Sequence, residues 1–215
     1  MLSAGVRALG LASLFVACAA NPPAAGERTA SLSPPAMGVA PAALVSMGPA
    51  REPMGWVDFC KRYEGECDVR PLEPENVVFD AKTRRLVERL NREINARISP
   101  ATDAEMWGLQ ERWDYPQDDR GDCEDYVLLK RKTLIEMGLP RQALLVTVVT
   151  DLQGDGHAVL TLRTDRGDYI LDNMADEVKL WRETPYGFVK RQSQTDPNLW
   201  VSIGQPSAGA QIVSR

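Results

Sequence analysis

"RGDCEDYVLLKRKTLIEMG", residues 120–138, sets a cysteine among three acids at the start of a segment with helical spacing. Asp122 suits an N-cap, Asp125 stands three residues on as an approximate capping box, and Gly138 with Pro140 stops the helix. Val127, Leu128, Leu134 and Ile135 make its buried face, and Cys123 lies one turn before Val127 on that side. Cys123 thus falls in the first helical turn, where free N–H groups and the positive end of the dipole favour a thiolate. Asp122, Glu124 and Asp125 act in the opposite sense, because carboxylates repel a thiolate and raise its pKa. Either Cys123 is structural, or something in the fold offsets those charges.

Outward from this segment the periods change. Upstream, Leu86, Val87, Leu90, Ile94 and Ile98 form one stripe, so a helix is expected from Asp80 to Ile98, ended by Ser99-Pro100. Asn91 and Asn95, four apart on it, read as solvated polar positions. A short helix near Ala104 to Arg112 and a loop through Pro116 and Gly121 should follow. Downstream come "ALLVTVVT" (143–150), "HAVLTLRT" (157–164) and "DYILD" (168–172), joined by "DLQGDG" and "DRG". Short turn-forming connections between apolar runs predict an antiparallel meander. Residues 188–203 should add a further strand and pack Trp200. A helix followed by antiparallel strands gives an α+β class, with the cysteine-bearing helix packed on the sheet.

The ends of the chain read differently. Arg7, the nearly uncharged run Ala8–Ala17 and the small residues after it look like an export signal over residues 1–20, too short to span a bilayer. "LFVAC" offers an alternative, a lipoprotein anchored through Cys18. Residues 21–50 are mostly Ala, Pro, Gly and Ser and read as a flexible linker. The expected domain then covers 51–205, with 206–215 as a tail. The whole chain of 215 residues carries a net charge of −5; loss of Arg7 with the signal leaves 24 basic against 30 acidic residues. That balance, with no basic stripe, argues against a nucleic-acid partner.

Cysteine usage fits export. Cys60 and Cys67, seven apart in "DFCKRYEGECDV", bound a polar loop with Gly65 and are the natural disulfide in an oxidising compartment. Two cysteines and one distant histidine fall short of a zinc site. Cys123 is left unpaired where loose thiols are oxidised, so it is either buried and inert or kept for its chemistry.

His157, the only histidine in the chain, opens the second strand-like run, and Asp172 closes the third. Each alone has an ordinary structural reading, a core imidazole and a turn acid; Asp155 likewise reads as turn chemistry. Together with Cys123 they supply a thiol, an imidazole to accept and return its proton, and a carboxylate to orient that imidazole. A hairpin turn between the second and third runs brings Asp172 across from the start of the His157 strand.

"GDCEDYVLLKR", "GHAVLTL" and "YILDNM", in this order and spacing, resemble the bacterial transglutaminase-like cysteine proteinases, which include LapG-type periplasmic proteases. "GWVDFC…C", "LNREIN" and "WGLQERWDYP" extend the resemblance over roughly residues 53–203. It implies a papain/transglutaminase-like fold with Cys123 as nucleophile, His157 as general base and acid, and Asp172 orienting His157. It further implies calcium held by Asp122 and Glu124, with Asp125 adding an oxygen or only capping. A hard dication takes carboxylate oxygens and cancels the charge that raises the thiol pKa. The implied substrate is a surface or periplasmic protein such as an adhesin, under control of a membrane receptor. The oxyanion donor is expected to be the Cys123 N–H, with Trp113 standing either as a second donor or as a packing residue. Acyl transfer to an amine, as in transglutaminases, uses the same three groups, and a catalytically silent binding module is the remaining alternative.

Overall fold

The computed structural model describes residues 42–203. The expected signal segment with Cys18, linker residues 21–41 and the tail 206–215 lie outside the described residues. The linker reading needs correction at its end: Ser46–Ala50 forms β1, paired antiparallel with β9 (Trp200–Ile203) through Pro49 opposite Val201 and Ala50 opposite Trp200. Leu44, one of the residues just before it, is 3% exposed, and its N–H donates to Asp168 Oδ2 at 2.8 Å. Ala and Pro content alone gave no hint of these long-range partners, so the folded unit reaches back to at least residue 42.

Helix α1 (Met54–Arg62) and the single turn α2 (Glu64–Cys67) carry the expected Cys60–Cys67 disulfide, with a Cα–Cα distance of 5.5 Å. Helix α3 (Ala81–Arg97) matches its expected span, and Asp80 Oδ1 caps it by accepting from the Thr83 N–H at 2.7 Å. Strand β2 (Ser99–Pro100) pairs in parallel with β3 (Arg120–Gly121) and flanks a short helix α4 (Asp103–Trp107). That helix is shorter than the expected Ala104–Arg112, because Gly108 turns left-handed at φ +68° and closes it. Helix α5 (Cys123–Glu136) then leads into β4 (Leu144–Thr150), β5 (Gly156–Thr164) and β6 (Gly167–Leu171). Two-residue β7 (Lys179–Leu180) and β8 (Gly187–Gln192) complete a seven-stranded antiparallel sheet ordered β1-β9-β8-β4-β5-β6-β7.

Helix α5 packs against β4 and β5 on one side and α3 on another. Val127, Leu128 and Leu134 from α5, Val87, Leu90 and Ile94 from α3, and Leu144, Val146, Leu160 and Leu162 from the sheet share one buried core. Removing such side chains from water contributes about 1.5–3 kcal/mol each. The opposite sheet face holds a smaller cluster of Val149, Val159 and Ile170 under Trp181, Tyr186 and Phe188. The alternation along β5 therefore sends Ala158 towards the helices and Val159 away from them. Helix α5 is less one-sided than its apolar spacing suggests, since Glu124, Asp125, Lys130 and Arg131 are buried as well.

Trp113 is 3% exposed and meets Trp56 and Trp200 edge-on, with ring centroids 6.4 and 6.3 Å away, so its indole is a packing group. Gly55 makes that packing possible, for a Cβ there would lie 2.2 Å from Trp113 Cδ1. Gly55→Ala is expected to destabilise the protein by about 1–3 kcal/mol through overpacking. In a thermal melt each kcal/mol should lower Tm by about 2–4 °C. An unchanged Tm would mean that the indole has room to shift.

Candidate active site and acidic cluster

The pairing of β2 with β3 sets the geometry. The Ser99 N–H donates to Asp119 O at 2.8 Å and the Ala101 N–H to Gly121 O at 3.0 Å, which lays the start of α4 beside the start of α5. Thr102 and Glu105 form a reciprocal capping box that fixes Asp103 as the first residue of α4. Carboxylate oxygens of Asp103, Asp122 and Glu124 consequently lie within 4.8 Å of one another. Asp122 occupies the N-cap position of α5 but makes no capping hydrogen bond, and its Oδ1 is buried with no hydrogen-bond partner among the described residues. Asp103 Oδ1 is in the same condition, while its other oxygen accepts from the Arg112 N–H.

Asp125 faces elsewhere. Its Oδ1 accepts from the Asp114 N–H at 2.8 Å, and Gly121 leaves room for it, since a Cβ there would lie 2.6 Å from Asp125 Oδ2. Asp125 therefore neither closes the expected capping box nor joins the acidic cluster; it ties the 111–115 segment to α5. Asp103 takes the third position. The "TDAE" pattern over 102–105 was a legible helix start, but nothing local told that this start would abut Asp122.

Burial raises all of these acids above the ordinary carboxylate range. For Glu124, burial and then the Asp122 charge push the pKa up to about 9. Burial takes Asp122 to about 6, partly opposed by its hydrogen bond with Glu124 and reinforced by the Asp103 charge. Asp103 is raised by burial, and Asp125 reaches about 8 for the same reason against the Asp114 N–H.

Cys123 is half-buried, and its S–H donates to Glu124 Oε2 at 3.1 Å. Burial raises the thiol well above its ordinary pKa, with the Glu124 charge, the Glu124 hydrogen bond and the Asp122 charge adding to it. The Ala158 N–H works the other way and places the sulfur beside the backbone next to His157. In the protein chain alone, burial and acids outweigh the helix N-terminus, contrary to the thiolate the helix position favours.

His157 and Asp172 come together as the hairpin predicts. Leu171 pairs with Leu160, which sets Asp172 diagonal to His157, and His157 Nε2 lies 3.0 Å from Asp172 Oδ1. Burial alone would raise Asp172, but hydrogen bonds from His157, Tyr186 and the Met174 N–H outweigh it and leave the carboxyl below its ordinary pKa. An ionised Asp172 accepts, so Nε2 carries the proton and Nδ1 keeps its lone pair. The groups that hold this acid were not foreseen from local pattern. Asn95 Nδ2 donates to the Asp172 carbonyl at 2.9 Å, and Asn91 Nδ2 donates to Ala175 O at 2.8 Å and Asp176 O at 3.1 Å. The asparagines are thus loop anchors and not solvated positions, and Asn91 is fully buried.

A family model described as bacterial transglutaminase-like cysteine proteinase matches residues 46–208. The chain belongs to this family. It is accordingly a cysteine peptidase of transglutaminase-like type acting on a protein substrate, and its mixed helix and antiparallel-sheet architecture is a transglutaminase-like protease fold. Among solved structures it is similar to calcium-bound LapG of Legionella pneumophila, at 24% identity over 58% of this chain and 73% of that one, with a TM-score of 0.47. It is also similar to LapG of the same organism at 25% identity (54% and 66% covered, TM-score 0.43) and to its EGTA-treated form at 24% (56% and 70%, TM-score 0.44). No curated protein matches.

Proposed function

We propose that this peptidase is an exported endopeptidase in which Cys123 is the nucleophile, His157 the general base and acid, and Asp172 the group that orients His157. The observation that carries the reading is the 3.0 Å bond between His157 Nε2 and Asp172 Oδ1; the Ala158 N–H, next to His157 in sequence, acts to lower the pKa of the Cys123 thiol. Asp172 fixes the tautomer, so Nδ1 accepts the thiol proton. The thiolate then adds to the scissile carbonyl carbon, and the Cys123 N–H donates to the oxyanion. As the C–N bond breaks, the imidazolium protonates the departing amine. Water, deprotonated by His157, cleaves the thioester and returns the free thiol and a new carboxylate.

The acidic cluster belongs to the same site. Two buried carboxylate oxygens without partners, on three acids crowded within 4.8 Å, suit a hard cation, and calcium takes such oxygens. Asp103, Asp122 and Glu124 would hold it. A bound dication supplies positive charge that offsets the acids around the thiol. Glu124 links the two halves of the site, because its carboxylate is one of the three in the cluster and also accepts the Cys123 S–H. Export is supported by the Cys60–Cys67 disulfide, which persists in an oxidising compartment, together with the signal-like residues 1–20. A periplasmic or surface substrate, such as an adhesin cut in an extended segment, follows from that location, and control by a membrane receptor fits the family resemblance.

Calorimetric titration of calcium into the purified protein tests the cluster. Wild type should bind saturably, and Asp103→Asn or Glu124→Gln should weaken binding by on the order of 100-fold. At calcium 100 times Kd the bound protein should gain about 2.7 kcal/mol in stability, visible as a raised Tm. No binding in wild type would leave the three acids as a purely structural group and remove calcium from this reading.

A further inference from the structure

We infer that Tyr186 is a positioning residue that sets the orientation of His157 through the second oxygen of Asp172. The inference rests on the triad reading above and adds a group to it. Asp172 Oδ1 already serves two donors, His157 Nε2 at 3.0 Å and the Met174 N–H at 3.0 Å. Both bonds converge on one atom and leave the carboxylate plane free to turn about it. The Tyr186 hydroxyl donates to Oδ2 at 2.5 Å and removes that freedom. Asp172 is 2% exposed, so water is poorly placed to take over this role.

The fold makes Tyr186 a stiff donor. It stands between the 3-10 turn Trp181–Glu183 and β8, and its ring packs on the Val149–Val159–Ile170 cluster of the outer sheet face. A ring held by apolar contacts has two side-chain torsions to fix, both settled before the hydroxyl meets its acceptor. Its centroid lies 5.4 Å from that of the imidazole at an interplanar angle of 51°, so one residue both grips the acid and flanks the base. Burial, and then the hydrogen bond to Asp172 and its charge, raise the phenol above its ordinary pKa, which keeps the proton available for donation. The ring only flanks the imidazole, and the Tyr186 hydroxyl acts through Asp172.

The single histidine makes the test direct. In protein labelled with ¹⁵N-histidine, the two ring nitrogens of His157 report its tautomer and hydrogen bonding without overlap. Tyr186→Phe keeps the ring and its apolar contacts and removes only the hydroxyl. It should shift the His157 ring signals and lower kcat roughly 10- to 100-fold with KM nearly unchanged. Asp172→Asn, measured beside it, reports on the triad itself. If Asp172→Asn moves the signals and kcat while Tyr186→Phe leaves both at wild type, the inference about Tyr186 is overturned and the triad stands. If neither substitution moves them, the triad reading fails, and the Tyr186 role fails with it.

Discussion

Cys123→Ala should abolish hydrolysis of an unstructured protein substrate, a loss on the order of 10⁴-fold or more, while thermal stability stays close to wild type. His157→Ala should cost a similar factor, and the double variant little more, because nucleophile and base act as one unit. Full activity in either single variant would sink the triad. Alkylation separates the state of the thiol from its role. With calcium chelated, the raised thiol pKa means little thiolate at neutral pH. Iodoacetamide should then modify Cys123 more slowly than a small free thiol, and the rate should climb as pH rises. Above about pH 9, where Glu124 is ionised, Glu124→Gln removes both a charge and an ionised acceptor from beside the sulfur, so alkylation at that pH should accelerate. A rate in that variant equal to wild type would mean that burial alone governs the thiol.

The place of Cys123 at a helix start and the meeting of His157 with Asp172 were legible because their elements are local and their periods strong. Helix α5 starts at the cysteine and stops at Gly138, and a short turn fixes the hairpin carrying the other two. The groups around them were not legible, since each depends on contacts far along the chain. Asp103 reaches Asp122 only through the β2–β3 pairing, and Asn95 reaches the Asp172 carbonyl across 77 residues. Tyr186 lies in a connection with no period at all. Asp125 shows the opposite error: three residues after an N-cap it has the right spacing for a capping box, yet the Asp114 N–H, 11 residues upstream, captures its carboxylate. Linker composition misled in the same way, because Ser46–Ala50 earns its order from β9, 150 or more residues later. Local pattern announces elements; the partners of buried polar groups belong to the tertiary fold.

Lys130 gives the second large effect, on stability. It sits two turns after Cys123 on α5, is 0% exposed, and among the described residues its Nζ has no hydrogen-bond partner and lies 5.8 Å over the Tyr126 ring. Burial lowers its pKa from 10.5 to about 7, against the opposing charges of Asp172 and Asp176. Below pH 7 folded and unfolded chains both hold the proton, and the penalty for burying the ammonium is present in full. Between about 7 and 10.5 the unfolded chain binds more protons than the folded one, so this residue makes stability rise with pH across that window. Lys130→Met keeps the length and removes the charge, so at pH 6–7 it should stabilise by about 1–4 kcal/mol and flatten that rise. Denaturant melts at pH 6.5 and pH 9 would measure both; a variant less stable than wild type at pH 6.5 would show that the amine is paired and needed for folding. The cost of keeping this lysine points to the loop it faces. Among the described residues Asn91 Oδ1, Asn95 Oδ1 and Asn173 Oδ1 are also buried without partners, on and opposite the residues 172–176 that include Asp172, the acid of the proposed triad. Below about pH 7, where it is protonated, Lys130 is a cation that favours negative charge on Asp172 and Asp176, which an apolar side chain does not do. Lys130→Met should therefore be a more stable but slower peptidase, with kcat falling while KM holds, the exchange expected when a strained polar group is retained for its site.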